Sequence, residues 1–486
     1  MYQLAKTTTK GTVELLILIL VCLSVACSRT DQPDVNVREY PATAWSLDSY
    51  QGKPPSHHTT KQLQRFAAEV PMSDFKDGTS IRDHAREQLL SKLPESLGGV
   101  DFTMPSVNEV VSDAPVHPSL KGIGEQMAET QGLFKLTEGI YQIRGGLAYI
   151  TLLRGNTGWI VLDTGLTQEF ASDAWEFARQ FLPGGADVPV SAVVYSHSHV
   201  DHFGGVKGLV SEEQVLAGEV EVIAPYGFMA HALAENLIAG GAMFRRADYH
   251  FGTLLEQKSD GTEYFSFVPS ETGALSLIRP THELPQGPGE VTSLEVDGVQ
   301  IDFMDVSGAE APAATLIYLP SEQMIFNSEL VFQGQHNIYT LRGAQVRDAL
   351  NWSKLINQVI HNWGSEVECI TGPHGPSFCG NAQINEYLRV QRDNYGFVHN
   401  QTVRLFNSGT KLQDAGQTIE EIVPESLSAL CHTHGYHGTY SHNARGVVNR
   451  YLGFYDGNPS NLNPLPLREE ASKYVDYMGG ADAIMA

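Results

Sequence analysis

Residues 194–206 read VYSHSHVDHFGGV, with three histidines and one aspartate inside six consecutive positions. The stretch completes the valine-rich run VPVSAVVYSH and ends on two adjacent glycines and a valine. On an extended backbone alternate side chains point to the same face, so His197 and His199 converge on one point. The chain then turns, and Asp201 and His202 face a second point close by. Imidazole and carboxylate together suit zinc. Gly204 and Gly205 let the backbone pass close beneath the cluster.

The frame around this motif is large. The chain has 486 residues, of which 42% are hydrophobic. That length predicts two or three domains. A formal net charge of −24 opposes binding to a phosphate backbone and excludes a nucleic-acid partner. The same charge repels anionic ligands at long range, so an anion site needs local positive charge.

The first residues carry two lysines and one glutamate, followed by LLILILVCLSV, an apolar run of eleven. Such a run is short for a membrane span and suits the core of a signal peptide. The sequence AC follows, with Cys27, so residues 1–27 read as a lipoprotein-type leader with a lipid anchor on Cys27. Ser24 stands where a larger aliphatic residue is usual, which leaves a plain secretory leader as the alternative. Either reading exports the protein to the periplasm or outer membrane, with secretion as the second choice. After the leader, Cys369, Cys379 and Cys431 remain. That is too few for a disulfide framework. A single Cys369–Cys379 bridge and buried thiols stay open as alternatives.

Residues 28–110 read as an N-terminal arm and linker, polar and proline-containing at first, with His57–His58 a solvated pair. Strands and helices alternate from about 135 to 380. FKLTEGIYQIRG, LAYITLLRG, GWIVLDTG, VEVIAPYGF, DGVQIDFMDV, ATLIYLPSEQMIFN and EVECITGPH predict strands, and TQEFASDAWEFARQFL predicts a helix. The fold class is therefore α/β with paired sheets over 111–380. From 381 to 486 the segments are helical, divided by glycine and proline.

The run HSHVDH, together with Asp163 of VLDTG at the end of the preceding strand, resembles the metallo-β-lactamase superfamily. The resemblance implies an αββα sandwich with metals at the sheet edge and Asp163 as a supporting residue. The blocks GFMAHALAENLIAGGAMFRRADYHFG, GAEAPAA, NSELVFQGQHNIYTLRGAQVRDALNW and GYHGTYSHNARGVVNRYLGFYDGNPSNLNPLP resemble the zinc-dependent alkyl sulfatases, of the linear primary-alkylsulfatase type. The similarity runs from about residue 110 to the C-terminus. It implies that 111–380 is the catalytic domain and 381–486 an α-helical dimerisation domain, hence a homodimer. The chain reads as a short form without that family's sterol-carrier-like C-terminal domain.

The resemblance also implies a ligand set for two zinc ions per chain. Glu310 would join His197 and His199 on one ion. His374 would join Asp201 and His202 on the other, and Glu329 would bridge both. Two such ions would lower the pKa of a shared water toward roughly 7 and give a hydroxide nucleophile. Asn337 and Arg342 would grip the sulfate, and His336 would be the general acid. Arg347 lies nearby in a structural role. Two positions depart from the family pattern: Ala314 replaces an acid and Gly241 an asparagine. His432, His434, His437 and His442 read as helix-packing and interface residues.

The function expected is hydrolysis of alkyl sulfate monoesters to an alcohol and inorganic sulfate. One alternative keeps the two zincs but cleaves another ester, lactone or phosphoester. Another is a catalytically silent zinc-binding envelope protein.

Overall fold

Trp159–Leu162 and Val190–Val194, which flank the first predicted helix, are almost wholly buried apolar runs. Such runs belong inside a parallel sheet covered on both faces. The computed structural model describes residues 89–91, 132–251, 273–375, 377–435 and 437–485. The leader, Cys27, the pair His57–His58 and nearly all of the arm lie outside these residues. One sheet runs in sequence order: β1 (Leu89–Ser91), β2 (Gly132–Lys135), β3 (Ile140–Arg144), β4 (Ile150–Arg154), β5 (Trp159–Leu162), β6 (Val190–Val194), β7 (Glu221–Ala224) and β8 (His282–Glu283). The pairs from β1 to β5 are antiparallel, and those from β5 to β8 are parallel.

The second sheet holds β9 (Val291–Val296), β10 (Val299–Asp305), β11 (Thr315–Leu319), β12 (Met324–Phe326), β13 (Cys369–Thr371) and β14 (Phe378–Cys379), again in sequence order. Only the β12–β13 pair in it is parallel. In β9 exposed and half-buried residues alternate until Val296, as on a sheet with one wet face.

Three apolar clusters define the layers. Ile160, Leu162 and Val194 of the first sheet meet Ile301, Phe303, Ile317 and Phe326 of the second. The other face of the first sheet packs on α1 (Gln168–Ala178) through Ala171, Ala174 and Trp175. The outer face of the second sheet packs on α5 (Ala349–Trp363) and α6 (Asn381–Asn407). The arrangement is the expected αββα sandwich. Between these lie α2 (Val200–Phe203), then α3 (Phe228–Leu233) and α4 (Gly240–Phe251), joined by a π-helical turn at Ala234–Ile238.

The helical segment begins where β14 runs into α6. It continues through α7 (Leu412–Glu420) and α8 (Tyr440–Leu452), whose buried residues join the cluster under the second sheet. All described residues belong to one compact unit, Pro54–Ala486. Trp352 fastens the two regions: its indole donates to the Leu330 carbonyl at 2.6 Å, and its ring stacks on Tyr395 with centroids 4.4 Å apart. Truncating such a buried tryptophan to alanine costs about 3–5 kcal/mol.

Cys369 and Cys379 face each other across the β13–β14 pair and form a disulfide, which resolves the open alternative. Disulfides persist in oxidising compartments. Among the described residues no helix is long and apolar enough to cross a membrane.

Candidate metal centre

The site forms where strands of both sheets end. Asp163 follows β5 directly, fully buried and at φ 58°. Its carboxylate accepts from the Ser196 N–H at 2.8 Å and the Ser196 hydroxyl at 2.7 Å. It also accepts from His202 Nδ1 at 2.8 Å. The single proton of Ser196 Oγ goes to Asp163, so Nδ1–H of His197 donates to Ser196 Oγ at 2.9 Å. Both imidazoles are thereby left with Nε2 facing inward. The glycines allow this closeness. A Cβ on Gly204 would lie 2.1 Å from the Leu166 carbonyl, and one on Gly205 would lie 2.2 Å from that of Thr164.

The second sheet supplies the facing donors. Glu310 lies in the β10–β11 connection, Glu329 just past β12, and His374 in the β13–β14 loop, the loop that the disulfide closes. Ser328 and Glu329 both have left-handed φ, 47° and 63°. Non-glycine residues there carry strain that functional sites concentrate. Asn327 Oδ1 holds the turn by accepting from the Glu329 N–H at 2.9 Å.

The expected donors come together in two groups. Glu310 Oε2 lies 3.3 Å from His197 Nε2 and 3.0 Å from His199 Nδ1. Glu329 Oε1 lies 2.8 Å from both His202 Nε2 and His374 Nε2, and Asp201 Oδ2 lies 3.2 Å from His202 Nε2. The same Glu329 oxygen is 3.8 Å from His197 Nε2, so it stands between the groups. Within each group the donor atoms lie within 4.8 Å of one another, close enough to hold a metal ion.

The electrostatics fit cations. Burial opposes charge on Glu310, yet Arg347 and His199 hold its carboxyl low. Burial likewise opposes charge on Glu329 and Asp201, but His374 and His202 respectively keep these acids well below the usual range. Buried negative charge of this density calls for positive partners. His202 Nε2 and Glu310 Oε2 are buried and turned into the cluster, where they meet other potential metal donors: Glu329 and Asp201 for the first, His199 and His197 for the second. A mixed imidazole and carboxylate set with inward lone pairs suits a divalent metal such as zinc.

His336, Asn337 and Arg342 come from the segment between β12 and α5 and lie beside these groups. His336 Nε2 is 3.3 Å from Glu329 Oε2 and 3.6 Å from Glu310 Oε1. Burial and the adjacent Arg347 guanidinium lower its pKa. Arg342 is partly exposed and pairs with Glu235 at 3.2 Å. Arg347, read from the sequence as nearby and structural, sits inside the cluster itself. It is buried, pairs with Glu310 Oε1 at 2.5 Å, and reaches His336 Nδ1 at 2.8 Å and the Asn337 side chain. Glu235 and His437 also reach this region, the first at His199 and Arg342, the second at His336. The His437 ring lies 4.8 Å from His250 and 6.2 Å from His336, a place the sequence does not signal. Ala314 is buried and bridges to the backbone of His197, so no acid side chain enters there.

Residues 143–374 match the family model of the metallo-beta-lactamase superfamily, and residues 412–486 that of alkyl sulfatase dimerisation. An alkyl/aryl-sulfatase of Saccharomyces cerevisiae is 40% identical over 438 residues, covering 88% of this chain and 66% of the relative. A linear primary-alkylsulfatase of a Pseudomonas species is 34% identical over 452 residues, covering 91% and 65%. The chain thus spans just under two thirds of the length of these curated relatives. The solved structure of the stereoselective inverting sec-alkylsulfatase Pisa1 from a Pseudomonas species matches with a TM-score of 0.77 at 34% identity. That match covers 90% of this chain and 69% of the other.

Without metal, the surrounding acids favour the protonated form of His202 and His374. Burial opposes this, but Asp201 and Asp163 raise His202 well above its ordinary value, and Glu329 raises His374 to about 9. A metal ion must displace those protons. Loading this group is therefore predicted to release protons at pH 7 and to tighten as pH rises toward 9. Calorimetry in buffers of differing ionisation enthalpy measures the release; pH-independent affinity without release would contradict it.

Proposed function

The chain belongs to the alkyl sulfatase family of the metallo-β-lactamase superfamily, and on that premise we propose that it hydrolyses alkyl sulfate monoesters to an alcohol and inorganic sulfate, using two zinc ions. The observation that carries this reading is the meeting of two donor groups at Glu329, with a cationic Arg342 beside them. His197, His199 and Glu310 would hold one ion; Asp201, His202 and His374 the other; Glu329 would reach both. When bound, the metal ions lower the pKa of water and so supply the nucleophile.

The chain's own residues do the rest. Arg342 stands at the partly open side, and its planar fork suits a tetrahedral oxyanion. The side-chain oxygen of Asn337 is taken by Arg347, which leaves its amide N–H groups to donate to the same anion. Arg347 also donates to His336 Nδ1, so the His336 proton sits on Nε2, which points into the cluster. In this neutral form Nε2–H can donate a hydrogen bond to the ester oxygen; protonating that oxygen as it departs requires the imidazolium, which burial and Arg347 disfavour. A bound anionic ester offsets the depression of its pKa by Arg347. Burial of His336, Asn337 and Arg347 excludes bulk water and strengthens their contacts.

The helices near the C-terminus and the turn before them expose Phe454, Leu467, Tyr477 and Met485 together with other large apolar side chains. An apolar surface of this kind supports a homodimer that covers it. Sedimentation or light scattering is expected to give the mass of two chains, and a monomer at micromolar concentration would contradict the dimer.

Sulfate release from alkyl sulfates of several chain lengths tests the reaction. Release should stop with a chelator and return with zinc. Arg342→Ala should raise KM about tenfold to a hundredfold, the worth of one charge-assisted hydrogen bond. Turnover of a phosphoester or lactone with none of any alkyl sulfate would contradict the proposal.

A further inference from the structure

Two of the inward-facing imidazoles have a visible support on their outer nitrogen. His202 has Asp163, and His197 has Ser196. His199 differs. It turns Nδ1 inward, 3.0 Å from Glu310, so its outer nitrogen is Nε2. That Nε2 is buried without a hydrogen-bond partner. The group facing it is the carboxylate of Glu235, with Oε2 at 3.6 Å. Glu235 is itself buried, and its Oε1 also has no hydrogen-bond partner. The orphaned His199 Nε2 thus faces Glu235 Oε2 just beyond hydrogen-bond distance, and the other oxygen of the same carboxylate is unpartnered. The same Glu235 Oε2 pairs with Arg342 Nη1 at 3.2 Å.

The backbone explains how a glutamate comes to be there. Glu235 lies in the π-helical turn Ala234–Ile238 between α3 and α4. Single π turns recur at functional sites because the extra residue in the turn re-aims neighbouring side chains. Ligand histidines depend on such an outer carboxylate to fix their tautomer and orientation. Without an acceptor on Nε2, nothing favours the tautomer with its lone pair on the inward Nδ1.

We propose that Glu235 is a positioning residue with two arms: it fixes His199 in the metal-binding tautomer, and it holds Arg342 beside the same donor group. The inference rests on the two-metal reading given above. It ties the first metal to the anion-gripping arginine through one carboxylate, so that metal affinity and ester affinity share a residue that touches neither the metal nor the ester.

The test is the stepwise zinc affinity of the full chain, measured by competition with a chromophoric chelator, with no substrate present. Glu235→Gln keeps the shape of the side chain and removes its charge. It should weaken one of the two zinc affinities about tenfold to a hundredfold and leave the other unchanged. Glu235→Asp keeps the charge on a shorter stem and should fall between Gln and the parent. Arg342→Ala breaks the ion pair alone and should leave both zinc affinities unchanged while raising KM. A loss of zinc affinity in Arg342→Ala equal to that in Glu235→Gln would overturn the proposal, since the ion pair would then explain everything. So would a Glu235→Gln variant with both affinities within twofold of the parent. A parent chain that binds no zinc would instead sink the two-metal reading, and this proposal with it.

Discussion

The centre depends on one buried carboxylate. Asp163 sits at the end of β5 in a left-handed backbone conformation and accepts three hydrogen bonds, two from Ser196 and one from His202. These contacts bind the end of β5 to the end of β6 and to α2 beyond it. They also set which nitrogen of His197 and His202 faces inward. Removing one partner of a buried charged network costs roughly 3–5 kcal/mol, which is why the arrangement can hold a strained residue in place.

The other half of the centre comes from the opposite sheet. Glu310, Glu329 and His374 reach the cluster only because the two sheets pack face to face through Ile160, Val194, Phe303, Ile317 and Phe326. The helical segment closes the back. A Cβ on Gly438 would lie 2.5 Å from the His336 carbonyl, and Asn443 donates to that carbonyl at 2.9 Å. The helices therefore support the segment that carries His336. In an acidic chain, Arg342 and Arg347 supply the local positive charge that the proposed anionic ester would need.

Much of this was legible in the sequence, and the limits have physical reasons. The HSHVDH run could be read because strand alternation is a local rule. So could the buried strands, each a short apolar run between turn residues. Glu310, Glu329 and His374 were reachable only through resemblance. Each is a lone polar residue after a strand, and only sheet packing brings it to the others. Arg347 was given a structural role although it touches Glu310 and His336, because Arg342 and Arg347 share a loop with no period to separate them. Glu235 gave no signal: its place depends on a π turn, which pattern does not encode. The α5 helix could have been found, since Trp352, Leu355, Ile356, Val359 and Trp363 follow helical spacing. The Cys369–Cys379 bridge could not be decided without the β13–β14 register.

The central claim is that two donor groups sharing Glu329 are two metal sites. Anomalous diffraction at the zinc edge, from crystals of the zinc-loaded chain, tests it directly. The account predicts two separate peaks, one against His197, His199 and Glu310, the other against Asp201, His202 and His374, with Glu329 between them. A single peak, or zinc held only at other residues, would contradict it.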